Sequence, residues 1–446
     1  MIKNINDEID KFLLSLPNAE NIDIAKIKDK YSSVITDSLD KGHITTNVCM
    51  IAASEFKTNP KELAQQLVDA LEATGKFLSV ESAGPGFVNI TLQRYDFVST
   101  IDKINKKNTE FGTSTIGNNQ SIQIEFVSAN PTGPLHVGHG RGAAYGDAIA
   151  RILTSSGYKV QKEYYINDAG RQIDILTCSV FARIYEKELS QFFPKNAYKG
   201  KYIIDIANSF KAKTNSKITP ELRPLIHDLP EDEEKEIDEL AVRIKELYSD
   251  LWKDIKSHAL KEVLESIQSD LEKFNVSFDN WYSESSLGDL TDSKSKISLS
   301  IEHLKDKELA YLKDGAVWLN TEGAGDDKNR VLIRDDGRAT YFASDVAYHK
   351  DKIDRGFDKL INVWGADHHG YIKRIEASIE GLGFSKNKLS VQLVQFANLF
   401  KDGSKVKMST RSGDFYSLAD LIEDIGTDAA RFYYLSKQAD QHLDFD

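Results

Sequence analysis

The 446-residue sequence has only two cysteines, Cys49 and Cys178, and no CxxC spacing. That excludes a disulfide framework and a cysteine zinc site, and leaves both thiols as expected core residues. No apolar run approaches membrane-spanning length, and the first residues (MIKNINDEIDKF) carry no apolar signal core, so a cytoplasmic protein with no membrane contact is expected. An excess of positive charge is missing too: 57 Lys and Arg stand against 69 Asp and Glu, a formal net charge of −12. Bulk electrostatic binding of nucleic acid is thereby disfavoured, while local basic patches stay open, because recognition depends on where charge sits. Internal repeats and low-complexity linkers are absent as well. What is present is the composition of a globular protein, 28% charged and 10% aromatic, in a chain too long for one core. Two to four domains are expected.

The most informative stretch is Glu125 to Arg141, EFVSANPTGPLHVGHGR. Before and into it, Ser121 to Val127 alternates as a short strand. After it, Ala144, Ala148, Ile149 and Ile152 recur at helical spacing, and Gly157 closes the helix. Strand, tight Pro/Gly turn and helix make the opening unit of nucleotide-binding α/β sheets, and such a turn sets backbone N–H groups and a helix N-terminus beside a phosphate. His136 and His139, three residues apart on the first helical turn, face one side, and Gly138 between them lets a flat base or a phosphate approach the backbone. Both imidazoles could donate to a triphosphate as charge builds up between its α and β groups. Taken alone, an HxGH pair is more simply two helix-start histidines with no ligand.

The surroundings reverse that judgement. The stretch resembles the HIGH signature of class I aminoacyl-tRNA synthetases, and NPTGPLHVGHGR is similar to its arginyl-tRNA synthetase version. Near the other end, Lys405 to Gly413 (KVKMSTRSG) is a Gly/Ser loop with several cations, able to close on a triphosphate and stabilise departing pyrophosphate, or else a solvated basic loop. It resembles the KMSKS signature in the form KMSTR, and the order HIGH first, KMSKS last matches the family. Thr410 stands where the signature has its second lysine, so Arg411 or Lys405 is expected to replace that charge. The resemblance implies that His136 and His139 act on the triphosphate beside Gly138, and that Lys405, Lys407, Met408, Ser409 and Arg411 clamp the phosphates, with Lys407 and Ser409 catalytic.

Residues 1–112 read as a small α+β domain. Asn59-Pro60-Lys61-Glu62 is a helix start, with Asn as N-cap and Pro at the first helical position; Leu63, Leu67 and Leu71 continue the helix. Ala83-Gly84-Pro85-Gly86 is a turn, and Phe87 to Leu92 alternates as a strand. TTNVCMIAASEFKTNPKELAQQL followed by AGPGFVNITL resembles the N-terminal domain peculiar to arginyl-tRNA synthetases. The resemblance implies that Phe87 and Asn89 contact the D-loop at the tRNA elbow, one by stacking and one by reading a base edge; a core role for Phe87 is the plain alternative.

Residues 113–402 are expected to form a Rossmann-like α/β catalytic domain with a helical insertion at about 180–325, and 403–446 the KMSKS loop and the start of a helical region. Tyr164 to Gln172 reads as a second strand ending in a polar turn, similar to the family's NDxGxQ motif. In the insertion an acidic run (EDEEKEIDE) precedes Ile237, Leu240, Ile244, Leu247 and Leu251 at helical spacing, and a second helix carries Leu260, Val263, Leu264, Ile267 and Leu271; a solvated acidic face is expected. Val331 to Arg334 returns to strand, a turn follows at Asp335-Asp336-Gly337, and Thr340 opens a helix. Tyr341 and Asp345, four apart on one helical face, can converge on a ligand. They are similar to the family's YxxxD helix, which implies that both meet the guanidinium of L-arginine, a planar cation held selectively by bidentate acceptors. Glu125 and Asn130 match positions that hold the same substrate at its α-amino end. Ile361 to Trp364 is a buried strand ending in Gly365-Ala366-Asp367-His368-His369-Gly370; an edge of this kind suits ribose or adenine through Asp367 and His368. Metal ligation there is disfavoured because three adjacent residues cannot all point inward.

The implied activity is ATP-dependent attachment of arginine to tRNA-Arg through an arginyl-adenylate, by a monomer, with Mg²⁺ accompanying ATP and no protein metal site. The resemblance further implies that adenylate formation needs the tRNA. Two rivals are another adenylate-forming ligase of the superfamily, against which the YxxxD helix and N-terminal domain speak, and a non-catalytic synthetase-like tRNA-binding protein, disfavoured because both signature loops are intact. The family continues beyond a Leu418–Ser436 helix pair into a helical anticodon-binding domain, so a fragment with contacts to the tRNA elbow and weak charging is the expectation for this sequence.

Overall fold

A computed structural model describes residues 2–189, 192–214, 222–401, 404–405 and 415–445, and in it the chain forms two units, Met1–Gly112 and Thr113–Asp446.

In the first unit, strands β1 (Ser33–Ile35), β2 (Ile44–Thr46), β3 (Phe77–Ala83) and β4 (Phe87–Leu92) form an antiparallel sheet in the order β1-β2-β4-β3. Helices Ile2–Ser15, Val48–Phe56 and Pro60–Ala73 bring Ile9, Leu13, Val48, Ala52, Leu63 and Leu67 into a core with Val80, Val88 and Ile90. The Asn59 side chain accepts from Lys61 N at 2.9 Å with Pro60 at the first helical position, as the sequence leads one to expect. The β3–β4 hairpin turns through Gly86 at φ 135°, where a Cβ would stand 2.9 Å from that of Pro60. Along β4, Val88, Ile90 and Leu92 are buried, while Phe87, Asn89 and Thr91 occupy the opposite, half-buried face. Phe87 is therefore no core aromatic. Cys49 in this unit and Cys178 in the other are both buried and unbridged.

The second unit follows a doubly wound plan. Strand β5 (Ser121–Glu125) is followed by helix Val137–Ser155 and β6 (Lys159–Ile166), and after several helices by β7 (Asn280–Ser283). A separate antiparallel sheet comprises β8 (Ala310–Lys313), β9 (Ala316–Leu319) and β10 (Arg330–Ile333). Then β11 (Lys359–Gly365) and β12 (Leu389–Val394) return to the main sheet, whose order is β12-β11-β5-β6-β7 with every neighbour parallel. Because β6 lies on one side of β5 and β11 on the other, the order reverses between β5 and β11, and such a switch point opens a crevice at the carboxyl ends of the strands. Helix Val137–Ser155 lies close over β5 because its residues there are small: a Cβ on Gly146 would be 2.3 Å from the Phe126 ring.

The stretch 180–325, expected as a helical insertion, is helical only in its first part. Helices Lys201–Lys213, Glu233–Leu247 and Ser249–Lys273 pack with Arg171–Ile184, but Asn280–Ser283 then joins the parallel sheet and Ala310–Leu319 forms two strands of the antiparallel one. The two long helices divide at Tyr248 (φ −137°, ψ 49°), so Leu251 belongs to the second helix, which begins at Ser249, and Leu247 is exposed. The acidic run is also more than a solvated face. Asp232 caps the first helix by accepting from Lys235 N, Glu233 and Glu234 complement its dipole, and buried Glu236 accepts from Lys195 N at 3.0 Å. Helices Leu418–Ile425 and Thr427–Leu435 lie near the end of the chain, where β13 (Ala397–Lys401) pairs with β14 (Ser404–Lys405) and with β15 (Leu443–Phe445).

Candidate active site at the carboxyl edge of the parallel sheet

Beyond Glu125 the chain leaves β5 through two left-handed residues, Val127 at φ 67° and Ser128 at φ 41°. A β-branched residue there is strained by about 1–3 kcal/mol and persists only where its surroundings hold it. Here Ser128 Oγ donates to Glu125 Oε1 at 3.0 Å and accepts from Tyr165 N at 3.1 Å, which locks the bend. The second Glu125 oxygen accepts from Lys352 Nζ at 2.5 Å. Lys352 is fully buried and also donates to Asn362 Oδ1 at 2.9 Å. Asn362 in turn donates to His349 Nε2 at 2.9 Å, and His349 Nδ1 donates to the Asp345 carbonyl at 2.8 Å. Burial, then the Lys352 charge, push His349 down to about 3, so it stays neutral in this chain. The end of β5 and the helix carrying Asp345 are thus tied by one buried polar network.

That network borders a cavity of about 390 Å³ lined by Glu125, Val127, Ser128, Tyr165, Asn167, Glu284, Tyr341, Ser344, Asp345, Val363, Trp364, Gly365, His368 and Tyr371. Tyr341 opens helix Tyr341–Asp354 behind a Thr340 N-cap and is exposed, while the Asp345 carboxylate accepts from the Tyr371 hydroxyl. Burial, reinforced by the charge on Glu125, pushes Asp345 up to about 7. Glu284, from the turn after β7, is likewise pushed up to about 7 by burial and then by Asp345 and Asp168, and its Oε2 is buried without a hydrogen-bond partner. Three carboxylates therefore converge on one cavity, and Lys352 is engaged by one of them. Such a site is electrostatically incomplete until a cation enters it.

His136 and His139 occupy the N-terminus of helix Val137–Ser155 as a reciprocal cap. His136 Nδ1 accepts from Gly138 N at 3.1 Å, and His139 Nδ1 accepts from His136 N at 3.3 Å. Their rings stack at 3.8 Å between centroids. Burial lowers both imidazoles, His139 to about 3, so both are neutral. With each Nδ1 already an acceptor, the proton sits on Nε2, and the two rings present N–H donors beside a helix N-terminus. Gly138 and His139 line a small cavity of about 60 Å³ with Gly142, Val394, Gln395 and Phe396; it shares Val127, Val363, Trp364 and Gly365 with the larger one. The two spaces meet along the end of β11, as the switch point requires.

Not every expected residue comes to these cavities. Asn130 is exposed and accepts from Asn167 Nδ2 at 2.8 Å, and it is Asn167 that lines the larger cavity. His368, in the 3₁₀ turn from Ala366 to Tyr371, lines that cavity, whereas Asp367 does not and is exposed, its carboxylate 3.7 Å from His368 Nε2. Lys407, Met408, Ser409, Thr410 and Arg411 lie outside the described residues, and for Lys405 only the strand position is described. Among the described residues no group of three or more His, Cys, Asp or Glu side chains could hold a metal ion, and no helix is long and apolar enough to cross a membrane.

Sequence reasoning missed Glu284, Tyr371 and Lys352, and it set Asn167 in a polar turn at the ligand edge of the sheet without giving it a part in arginine binding. Glu284 follows a four-residue strand, Asn-Trp-Tyr-Ser, too short for a periodicity to register. The aromatic pair Trp281-Tyr282 was the available signal, since β propensity favours such residues. Lys352 left no signal at all, because nothing in a helical Lys distinguishes a buried counter-ion from a solvated one.

Comparison with known proteins fits this geometry. Residues 100–443 match the family model described as tRNA synthetases class I (R), catalytic domain, and residues 1–92 match Arginyl tRNA synthetase N terminal domain. The chain is 45% identical over 422 residues to an arginine–tRNA ligase of Thioalkalivibrio sulfidiphilus, covering 92% of this chain and 71% of that protein. It is 42% identical over 440 residues to one of Nitrosomonas europaea, covering 97% of this chain and 73% of that protein. The arginyl-tRNA synthetase structure of Thermus thermophilus superposes with a TM-score of 0.65 at 18% identity, over 99% of this chain and 76% of that one, a likeness of fold.

Proposed function

This chain belongs to the arginyl-tRNA synthetase family of class I, and from that premise we propose how its residues divide the work of joining arginine to tRNA-Arg with ATP. The carrying observation is the convergence of Glu125, Glu284 and Asp345 on one cavity whose carboxylates lack sufficient positive charge. Arginine brings two cations, one at each end. Asp345 and Glu284, with Tyr341 alongside, receive the guanidinium; Glu125, held by Ser128 and Lys352, receives the α-ammonium at the end of β5. Asn130 acts through Asn167, which it orients.

The α-carboxylate then points toward the switch point, where ATP lies with adenine near Gly138 and its phosphates over the helix N-terminus. Attack of that carboxylate on the α-phosphorus forms the arginyl-adenylate and expels pyrophosphate. The Nε2–H groups of His136 and His139 donate to the charge that builds in this step, and being neutral they do so without holding the product tightly as cations would. The ribose hydroxyl of tRNA next attacks the activated carbonyl and releases AMP. His368 and Asp367 are assigned to ATP, and Lys405, Lys407, Met408, Ser409 and Arg411 to its phosphates. Mg²⁺ travels with the phosphates; the described residues present no ligand cluster of their own, and no step is assigned to it. Phe87 and Asn89, half-buried on one face of β4, are available to stack on and read the tRNA elbow. A cytoplasmic monomer is part of the same proposal; among the described residues no helix is long and apolar enough to cross a membrane.

Titration calorimetry with arginine and with citrulline, which has the same shape and a neutral ureido group, tests the reading. Arginine binds and citrulline is rejected by roughly a hundredfold or more, the loss of a charge-assisted contact of about 3 kcal/mol. Equal binding of the two would show that the cavity does not read charge.

A further inference from the structure

The turn Asn167-Asp168-Ala169-Gly170 at the end of β6 has one carboxylate with no assigned part in the reaction. Asp168 Oδ2 accepts from Ser283 Oγ at 2.5 Å and from Ser285 Oγ at 3.2 Å, and Asp168 Oδ1 accepts from Ser285 N at 2.9 Å. The two serines flank Glu284. Strand β7 is four residues long and lies at the edge of the sheet with β6 as its sole neighbour, and its pairing ends at Ile166 opposite Ser283. Past that pair no ladder hydrogen bond fixes the chain that carries Glu284, and Oε2 of Glu284 itself has no hydrogen-bond partner although the residue is only 8% exposed.

We propose that Asp168 is a positioning residue for arginine recognition: by holding Ser283 and Ser285 it extends the β6–β7 tie beyond the sheet and sets the Glu284 carboxylate in the cavity. The inference rests on the reading that Glu284 meets the guanidinium. A carboxylate suits the task because two oxygens accept three hydrogen bonds from one turn, backbone and hydroxyl together. It also stands close enough to oppose ionisation of Glu284, which is faced by the charges of Asp345 and Asp168 and by the hydroxyls of Ser344 and Tyr165.

The test is pyrophosphate exchange by the full chain with tRNA-Arg present, using Asp168→Ala, Asp168→Asn, Glu284→Gln and the double variant Asp168→Ala/Glu284→Gln. Asp168→Ala raises the KM for arginine roughly tenfold to a hundredfold, as a displaced contact group does, and leaves the KM for ATP within about twofold. The double variant is no worse than Glu284→Gln alone, because both changes act on the same contact. Asp168→Asn keeps an oxygen for Ser285 N–H and an amide that can donate to Ser283, so its arginine KM stays near the parent's. Its pH profile also moves to lower pH, since the charge opposing Glu284 is gone; what a merely structural role would not give is a rise in arginine KM alone that Asn restores. Full additivity in the double variant, or an unchanged arginine KM in Asp168→Ala, overturns the proposal. An unchanged arginine KM in Glu284→Gln itself overturns the guanidinium reading, and the proposal with it.

Discussion

Replacing Asp345 by Asn isolates the charge that the cavity offers to arginine. The amide keeps an oxygen for the Tyr371 hydroxyl, so the wall of the cavity stays in place while one negative charge leaves. A buried ion pair that loses one partner is destabilised by about 3–5 kcal/mol. Glu284 remains at the same cavity and still faces the guanidinium, which places the expected loss at the lower end, about 3 kcal/mol. At 1.4 kcal/mol per factor of ten, the KM for arginine rises roughly a hundredfold. ATP is assigned to the other side of the switch point, around Gly138 and His139, and its KM should move by less than about twofold. Exchange of labelled pyrophosphate into ATP, with arginine and ATP varied separately and tRNA-Arg present, reads both constants. A parallel rise in both would refute the reasoning and make Asp345 a structural residue of its helix.

Three further outcomes follow from the same geometry. Asp345 and Glu284 are both held at about 7, chiefly by burial, so below that pH the empty cavity carries protons that arginine must displace. Carboxylates with raised pKa ionise as pH climbs, so arginine affinity rises from about pH 6 to about pH 8 and binding near pH 7 releases protons, visible in calorimetry as an enthalpy that depends on the buffer; a flat profile would contradict this. His139→Ala should slow single-turnover adenylate formation by about 10²–10³-fold with arginine KM nearly unchanged, since its N–H is assigned to charge that develops in the transition state; a change confined to KM would exclude that role. Gly146→Ala sets a methyl group 2.3 Å from the Phe126 ring and should destabilise the second unit by about 1–3 kcal/mol, measured as a lower Tm, whereas an unchanged Tm would mean that the helix can shift freely off β5.

How far the sequence could be read depended on how local each signal was. The Asn59-Pro60 helix start, the β4 alternation and the strand–turn–helix around His136 are decided by neighbours in the chain, and all three stand in the structure. So does the pairing of Tyr341 with Asp345 at one cavity, four residues apart on one helix. Where long-range contacts decide, sequence reading stopped. In Asn280–Ser283 only the aromatic pair Trp281-Tyr282 hints at a strand, and no local feature shows that it returns to the sheet after a 25-residue helix, so Glu284 was hidden inside a segment assigned to helix. The Lys352–Glu125 pair joins residues 227 apart, and Asn167 takes the cavity position expected of Asn130 because a side-chain hydrogen bond links two strand ends. The Tyr248 break also escaped notice, because Leu247 and Leu251 continue a helical spacing across it and only the backbone angles reveal it.

The central claim is that this cavity selects a guanidinium for activation by ATP. Its most direct test is ATP–pyrophosphate exchange by the full chain with tRNA-Arg, run in parallel with arginine and with lysine. Two or more carboxylates at the cavity can hold a planar fork bidentately, while the point charge of an ammonium meets only one at a time. The account predicts exchange that depends on arginine and stays at background with lysine; exchange with lysine at the rate seen with arginine would contradict it.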